Sequence, residues 1–368
     1  MRRIGVRVLG LLTILAVPIL MSVGGARAAT ASTTLVASGL NNPRGLSFGP
    51  GGLLFVAEGG LGGTMTTTPS QCTQVVPPVG PYSGGFTARI SSVDVRTGTR
   101  KTVAARLPSS TTAPGVGSDI SGVADVAFVG GRLNALIAGA GCSHGLAGTV
   151  NSILRFERDG STTQVADLSS FLMAHPVAHP NPPDFEPDGT WFSMVEAAGA
   201  LYAVEPNHGE VDVVSRNGSI RRLVDVSATQ GHVVPTSIAA HGNSFFLGNL
   251  GLFAPGSEGK AGVFRIDRHS GTIESFTPGL TAVTGVAFHG GHVFALEAFT
   301  GSFAPSPSVA ATGTLVRLGE DGTWTPVVTG LNFPTAMVFR GNDLFVSNRG
   351  FGFPPGAGQI VRVDLSGS

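Results

Sequence analysis

The sequence carries little charge, and neither sign is in excess. Only 12% of its 368 residues are charged, and 23 basic residues balance 23 acidic ones. A nucleic-acid binder needs a basic surface that neutralises phosphates, and electrostatic attachment to anionic lipid needs clustered Lys and Arg. The composition therefore argues against both classes of protein. Hydrophobic residues make up 42% of the chain, which is enough for a large core.

Long apolar runs are also missing beyond the N-terminus. The apolar run Val8–Leu20 follows a basic start and precedes the small-residue pattern Ala26-Arg27-Ala28. It is shorter than the roughly 20 residues that span a bilayer, and this order of segments is typical of a secretory signal peptide. We predict a signal peptide over residues 1–28, a mature domain over 29–368, no membrane span, and bacterial export to the extracellular space.

Glycine, by contrast, is abundant, with 54 residues beside 24 prolines, and this disfavours long helices. The chain repeats one unit six times: a short apolar strand, a Gly-containing turn and a second apolar strand, which is a hairpin pattern. A third and a fourth strand follow each hairpin, as in a propeller blade. We predict an all-β, six-bladed β-propeller. The six hairpins are Leu40–Glu58, Gly122–Ala138, Trp191–Glu205, Pro235–Asn249, Val283–Glu297 and Leu331–Asn348.

The two ends of the chain predict how the ring closes. The last unit stops after its third strand, Gln359–Asp364, and an unassigned strand, Thr33–Ser38, precedes the first unit. That strand is similar to the fourth strand of the fifth unit, Thr325–Gly330. We therefore predict that the N-terminal strand completes the last blade and leaves no open edge. An open stack of hairpins or two separate sandwiches are the alternatives.

The long insertions fall on one face of the predicted propeller, which we call the long-loop face. Insertions concentrated on one face indicate a binding face, and neutral variation of exposed loops is the alternative. The insertions are Gly59–Ala88, Gly139–Asn151, Ser169–Gly189, Leu250–Gly262, Ala298–Gly313 and Arg349–Gly358.

The two cysteines lie in equivalent loops of this face. Cys72 belongs to the loop between strands two and three of the first unit, and Cys142 to the same loop of the second unit. Adjacent blades place these loops side by side, and exported proteins usually pair their cysteines. We predict a Cys72–Cys142 disulfide that braces the long-loop face. Two free buried thiols are the alternative.

Polar side chains end the second strand of five units. On the long-loop face we expect them near the mouth of the central channel, where carboxylates and amides suit Ca²⁺ or another divalent cation. Such a cation would be structural or would activate a water for hydrolysis. A polar collar that hydrates the channel and bonds loop backbone is the alternative. These residues are Glu58, Glu205, Asn249, Glu297 and Asn348.

Two further patterns suggest chemistry only weakly. Gly45–Gly49 matches the G-x-S-x-G motif of serine hydrolases, but it lies within a strand with no helix after it, so we interpret it as coincidence. His175 and His179 have the spacing of helical zinc ligands, but the prolines beside them oppose a helix. In a metal-binding loop, acidic residues that follow the two histidines would supply further ligands. We favour the alternative, a solvated Pro-rich loop. These acidic residues are Asp184, Glu186 and Asp188.

Several phrases resemble the ScyD/ScyE family over nearly all of the mature chain. They are Asn42–Phe48 with Leu54–Glu58, Val234–Ala239, Thr314–Arg317 and Gly358–Val363. The family is similar to NHL-type and gluconolactonase-like six-bladed propellers, and its name comes from gene clusters for scytonemin, an extracellular indole-phenol pigment. The resemblance implies a secreted propeller and carries over no catalytic residue.

Two classes of function follow. The first is a secreted, monomeric binding or assembly module whose long-loop face holds a small molecule, a polymer or a protein. The second is a cation-dependent lactonase- or esterase-like hydrolase with its site at the mouth of the channel. We rank a quinone-dependent dehydrogenase a distant third, because we would expect basic and His residues around its cofactor. We favour the first, because no general base stands beside a placed nucleophile or metal in the sequence.

Overall fold

The computed structural model describes residues 31–112, 119–251, 256–301 and 311–365. The predicted signal peptide, residues 1–28, lies outside this range. The described chain forms six β-sheets in a propeller arrangement, so the predicted fold class is confirmed. Two short helices, α1 (Leu168–Ala174) and α2 (Ser227–Gln230), interrupt the strands. Within the described residues, no helix has the length and apolar character needed to cross a membrane.

The strands follow one another blade by blade. Strand β1 (Thr33–Leu40) comes first and joins blade six. Blade one holds β2 (Pro43–Phe48), β3 (Leu54–Glu58), β4 (Ser83–Asp94), β5 (Thr99–Thr111) and β6 (Ile120–Ser121). Blade two holds β7 (Val123–Val129), β8 (Arg132–Ile137), β9 (Ser152–Phe156) and β10 (Thr162–Asp167). Blade three holds β11 (Ser193–Ala197), β12 (Ala200–Glu205), β13 (Glu210–Val214) and β14 (Ile220–Asp225).

The remaining blades repeat the same order. Blade four holds β15 (Pro235–His241), β16 (Ser244–Asn249), β17 (Ala261–Asp267) and β18 (Ile273–Leu280). Blade five holds β19 (Val283–His289), β20 (His292–Glu297), β21 (Gly313–Leu318) and β22 (Trp324–Leu331). Blade six holds β23 (Ala336–Arg340), β24 (Asp343–Asn348) and β25 (Gly358–Asp364), together with β1.

Glycine pairs make the tight turns of the face opposite the long loops. Gly130 and Gly131 join β7 to β8 with φ of 56° and 75°, and Gly290 and Gly291 join β19 to β20 with φ of 58° and 81°. Two successive residues with positive φ form the two-residue hairpin turn that matches strand twist. Glycine reaches these angles without steric cost, and this explains why the hairpins of the sequence carry it.

The core is divided among the interfaces between neighbouring blades. Between blades two and three, Trp191 is 1% exposed and packs in one cluster with Ile153 of β9, Leu201 of β12 and two leucines of α1. Because blades touch mainly through such clusters, each interface buries apolar surface of its own. Helix α1 therefore covers the blade two–three interface on the long-loop side.

Threonine hydroxyls connect the innermost strands of neighbouring blades. In blades four, five and six, a threonine at the start of the innermost strand donates a hydrogen bond to a backbone carbonyl at the start of the next blade. The bonds join Thr236 to Val283 (2.5 Å), Thr284 to Pro334 (2.9 Å) and Thr335 to Pro43 (2.7 Å). The last of these bonds runs from blade six to blade one, so the first and last blades are in contact.

Strand β1 pairs antiparallel with β25, as the ends of the sequence predict. Thr33 lies opposite Val363 and Leu40 opposite Gly358, with two register shifts between them. Ala37 of this strand is 6% exposed and Leu40 is fully buried. The N-terminal strand is therefore an edge strand of the blade-six sheet and contributes apolar side chains to its core.

Candidate functional site

The innermost strand of each blade lines a central channel with a volume of about 490 Å³. Burial raises the pKa of Asp125, one of its lining residues, to about 7, although the carboxylate accepts N–H bonds from Met194 and Val126. The G-x-S-x-G motif lies in the wall of this channel. A Cβ on Gly45 would lie 1.8 Å from an Asp125 oxygen, and one on Gly49 would lie 2.4 Å from the Phe128 ring. These glycines are therefore required by packing between blades one and two.

The five predicted site residues are buried at the ends of the second strands. Four of them accept a hydrogen bond from a backbone N–H that lies 15 to 17 residues earlier, where the chain enters the same blade. Each side chain therefore ties the entry of a blade to its second strand. The bonds join Asn41 to Glu58 (2.7 Å), Thr190 to Glu205 (2.9 Å), Thr281 to Glu297 (2.7 Å) and Asn332 to Asn348 (2.8 Å).

The fifth residue, Asn249, donates instead to the backbone carbonyl of Gly262 at 3.0 Å. Glu58 also forms an ion pair with Arg89 at 2.7 Å. Among the described residues no hydrogen bond joins two of the five, and no group of three or more His, Cys, Asp or Glu side chains is arranged to hold a metal ion. The observed bonds to loop backbone match the collar alternative in that respect, and metal binding by these residues stays a prediction.

The predicted disulfide between Cys72 and Cys142 is present. The two Cα atoms are 6.2 Å apart, within the range of ordinary disulfides. The bond links the β3–β4 loop of blade one to the β8–β9 loop of blade two. The hydroxyl of Thr67 also donates to the Cys142 carbonyl at 2.6 Å. Two long loops that belong to different blades are therefore held against each other.

A buried polar network lies beside the disulfide, under the insertion that joins blades two and three. Glu186 is 3% exposed and accepts hydrogen bonds from the Tyr82 hydroxyl at 2.6 Å and from the Thr190 hydroxyl. The Nε2 atom of His144 lies 3.5 Å from the same carboxylate. Desolvation raises the pKa of Glu186 well above its ordinary value and lowers the pKa of His144 to about 4. The network therefore favours neutral forms of both groups.

The residues of the suspected metal loop have separate partners. His175 ends α1 with its ring stacked on Phe171, the centroids 4.3 Å apart. Asp184 lies 3.0 Å from Nε2 of His232, and Asp188 accepts hydrogen bonds from Ser143 at 2.6 and 2.7 Å. The backbone N–H of His179 donates to the Ser227 hydroxyl. These contacts attach the Pro-rich insertion to the blades. Most of residues 175–183 are exposed, as in the favoured interpretation of a solvated Pro-rich loop, whereas Glu186 is buried.

Sequence reasoning missed a second set of buried acids, in blade three. Glu210 and Asp212 lie two residues apart on β13, and both are fully buried. Arg222 forms an ion pair with one oxygen of Glu210. The other oxygen of Glu210 and both oxygens of Asp212 are buried and have no hydrogen-bond partner of ordinary geometry. The Trp191 indole N–H lies close enough to Asp212 to oppose the rise in its pKa. Desolvation raises the pKa of Glu210 to about 7 and that of Asp212 well above its ordinary value. In the sequence, nothing distinguishes these acids from ordinary residues of a short strand.

A cluster of aromatic rings and arginines lies on the long-loop face of blades five, six and one; we call it the Phe–Arg patch. The ring of Phe333 is 4.6 Å from that of Phe351, 6.1 Å from Phe299 and 6.3 Å from Phe353, centroid to centroid. Two guanidinium groups lie over these rings. The patch consists of Phe299, Phe333, Phe351, Phe353, Arg44 and Arg349. Arg44 also lines the channel, so the patch adjoins the channel mouth.

Comparison with known proteins identifies the fold and no family. No protein-family model matches the chain, and no curated protein sequence matches it. Solved structures of propellers do match. A streptogramin B lyase is 11% identical and covers 92% of this chain and 99% of its own, with a TM-score of 0.51. The PQQ-bound aldose sugar dehydrogenase of Streptomyces coelicolor is 15% identical. The match covers 91% of this chain and 98% of that protein, with a TM-score of 0.52.

A third solved structure is a protein of the gluconolactonase type. It is 12% identical, with coverages of 91% and 92% and a TM-score of 0.50. At such identities the similarity shows the fold alone, and the three proteins are named for different kinds of reaction. The NHL- and gluconolactonase-like propeller fold is thus supported, the ScyD/ScyE resemblance stays a prediction, and the function must be argued from the site.

Proposed function

We propose that this protein is a secreted binding or assembly module that holds its ligand on the long-loop face, near the mouth of the channel. The Phe–Arg patch carries the proposal. Phe333, Phe351 and Phe353 are only half-buried, and arginines lie beside them. Aromatic residues and arginine are the types that concentrate binding energy in interfaces. The strand-end polar residues, in contrast, are occupied with their own backbone.

The bracing of this face supports the proposal. The disulfide and the Glu186 network fix the insertions of blades one to three, and a site on a rigid surface loses less conformational entropy when it binds. Disulfides persist in oxidising compartments, and this agrees with export. In the described residues the Ser110 hydroxyl lies 2.8 Å from Nδ1 of His144, whose Nε2 lies 3.5 Å from Glu186. All three side chains are buried and closed to a substrate, so we assign the face to binding.

A fragment screen of the mature protein tests this function. Crystals of residues 29–368 would be soaked with a library of small aromatic, aliphatic, charged and sugar-like molecules. We expect the bound molecules to concentrate on the long-loop face between blades five, six and one, and to be recovered unchanged. Turnover of the fragments, or binding confined to the short-turn face, would contradict the proposal.

The alternative, a cation-dependent hydrolase, is favoured by one observation. Burial raises the pKa of both Glu205 and Glu297 to about 7, and a divalent cation would stabilise the ionised form of such carboxyl groups. The double change Glu205→Gln with Glu297→Gln tests for the metal, because each amide oxygen can still accept the backbone N–H bond from the entry of its blade. At position 205 the second bond, from the His208 N–H, is lost, so the readout is the effect of chelator on each protein.

For the binding module we expect no stoichiometric Ca²⁺ or other divalent cation in the purified protein by elemental analysis. Chelator should then leave the melting temperature of the wild type unchanged, and likewise that of the double variant. Stoichiometric metal that the double variant lacks, and whose removal by chelator lowers the melting temperature of the wild type only, would favour the hydrolase.

A further inference from the structure

The Phe–Arg patch offers aromatic faces to a ligand. Phe333 is the central ring, with Phe351 at 4.6 Å on one side and Phe299 at 6.1 Å on the other. Phe299 is 3% exposed and forms the floor, whereas Phe333 and Phe351 are half-buried. A planar ring placed on these two would bury apolar area and gain an offset or edge-to-face aromatic contact.

Arg349 adds an unpaired charge to the same place. Its guanidinium lies 5.6 Å from the centre of the Phe353 ring. In the part of the chain that the structure describes, this side chain has no ion pair and no hydrogen bond, and its Nε atom is buried. Burial closes Nε to a ligand, but the terminal N–H groups of this guanidinium can donate to an acceptor from a ligand, which would also offset the unpaired charge.

The backbone holds Arg349 in position. Its φ of 59° lies in the left-handed region, which non-glycine residues adopt only when the surrounding structure imposes it. Here the constraint comes from two bonds: the Arg349 N–H donates to the Asn332 carbonyl at 2.7 Å, and the Gly350 N–H donates to the Phe333 carbonyl at 3.0 Å. The guanidinium is therefore presented from a fixed main chain that also carries the central ring.

Arg44 differs from Arg349 because it already has partners. Its guanidinium lies 6.0 Å from the centre of the Phe351 ring, donates to the Ile120 carbonyl at 2.5 Å and meets Asp119 at 3.4 Å. Asp119 is 61% exposed at its side chain. The charged side chains of the patch itself are thus both cationic, and the one without a partner is Arg349, so the complementary ligand carries a negative charge.

We propose that the Phe–Arg patch binds a planar aromatic carboxylate. The aromatic ring stacks on Phe333 and Phe351, and the carboxylate bonds to the guanidinium of Arg349. Arginine matches a carboxylate with two parallel N–H bonds, and the nearby rings shield that pair from water. This inference rests on the proposed function and names the chemical class of its ligand.

The test compares one aromatic acid with its neutral amide. The mature, disulfide-bonded protein would be titrated calorimetrically with 2-naphthoate and with 2-naphthamide. We expect naphthoate to bind at least about tenfold more tightly, as hydrogen bonds to a charged group provide. Arg349→Gln should remove that difference and leave the amide's affinity unchanged, whereas Phe351→Leu should weaken both compounds.

Arg268→Gln is the matched control. Arg268 lies over the ring of Phe245 at 5.4 Å, but in the β17–β18 turn on the opposite face, so we expect this variant to bind naphthoate like the wild type. The inference is overturned if the wild type binds acid and amide equally, binds neither, or loses naphthoate equally with either arginine variant. If naphthoate fails while screen fragments still occupy the long-loop face, the proposed function stands and only the ligand class is wrong.

Discussion

A protein that begins at residue 39 instead of 29 should melt at least roughly 10 °C lower than the mature chain, or aggregate during purification. The deletion removes most of β1, which pairs with β25 along its length. It exposes the N–H and C=O groups of β25 as an open edge and removes the apolar contact of Ala37 with the blade-six core. Differential scanning calorimetry of the two proteins measures the effect.

The physical reason is that β1 attaches the first residues of the domain to its last strand. We propose that this pairing closes the ring, because β1 leads directly into blade one and is bonded to the last strand of blade six. It adds to direct contacts between the two blades, such as the bond of Thr335 to Pro43 and the packing of Phe48 on Phe345. A protein that starts at residue 29 is the control. Equal melting temperatures for the two proteins would show that β1 is dispensable and that the blade contacts alone close the ring.

A peptide of residues 29–38 sharpens the test. Added to the truncated protein, it should raise the melting temperature in proportion to the logarithm of its concentration, because the exposed edge of β25 accepts an added strand. A peptide in which Val36 and Ala37, which pack on the blade-six core, are changed to Ser should not. If both peptides act alike, the effect is not specific strand pairing.

The repeat made the fold predictable. Six hairpins with glycine at the same turn positions define blades, and the order of strands within a blade fixes which loops share a face. That geometry alone brought Cys72 next to Cys142, although 70 positions separate them. The pairing of β1 with β25 followed from counting strands. Each of these inferences uses periodicity, which a single sequence displays directly.

The polar groups were harder to place because their orientation depends on tertiary contacts. Position at a strand end marks Glu58 and its counterparts as a recurring feature, yet four of the five side chains bond to the backbone that enters the same blade. The Phe–Arg patch comes from two insertions, the β22–β23 connection and strand β2, and nothing in the local sequence joins Phe299 to Phe351. Asp212 lies in a short strand, and its burial depends on packing between blades that the local sequence does not show.

The protein should be most stable near pH 4 and lose roughly 5 °C or more of melting temperature between pH 4 and pH 8. Six buried carboxyl groups have raised pKa values, four of them about 7 and two well above their ordinary values. Calorimetry across pH 4 to 9 at constant ionic strength measures the profile. The six groups are Asp125, Glu186, Glu205, Glu210, Asp212 and Glu297.

The direction follows from proton binding. Between about pH 4 and pH 7 the folded protein retains these protons, whereas the unfolded chain has released them, so stability falls as the pH rises. Two histidines act the other way: the pKa values of His144 and His208 are lowered by burial, so stability gains from them as the pH rises towards about 6.5. Because six carboxyl groups oppose two imidazoles, the fall dominates.

Asp212→Asn isolates one of these protons. The amide keeps the shape of the neutral acid, and its oxygen can still accept from the Trp191 indole N–H that lies beside Asp212. The variant should match the wild type near pH 4 and melt above it at pH 8, because it removes a linkage of about 1.4 kcal/mol per pH unit. Glu320→Gln, at an exposed carboxyl of the β21–β22 turn, is the control and should follow the wild-type profile. If Asp212→Asn instead follows that profile too, Asp212 is ionised in the folded protein, and the network of blade three must then supply it with a partner such as a bound water or cation.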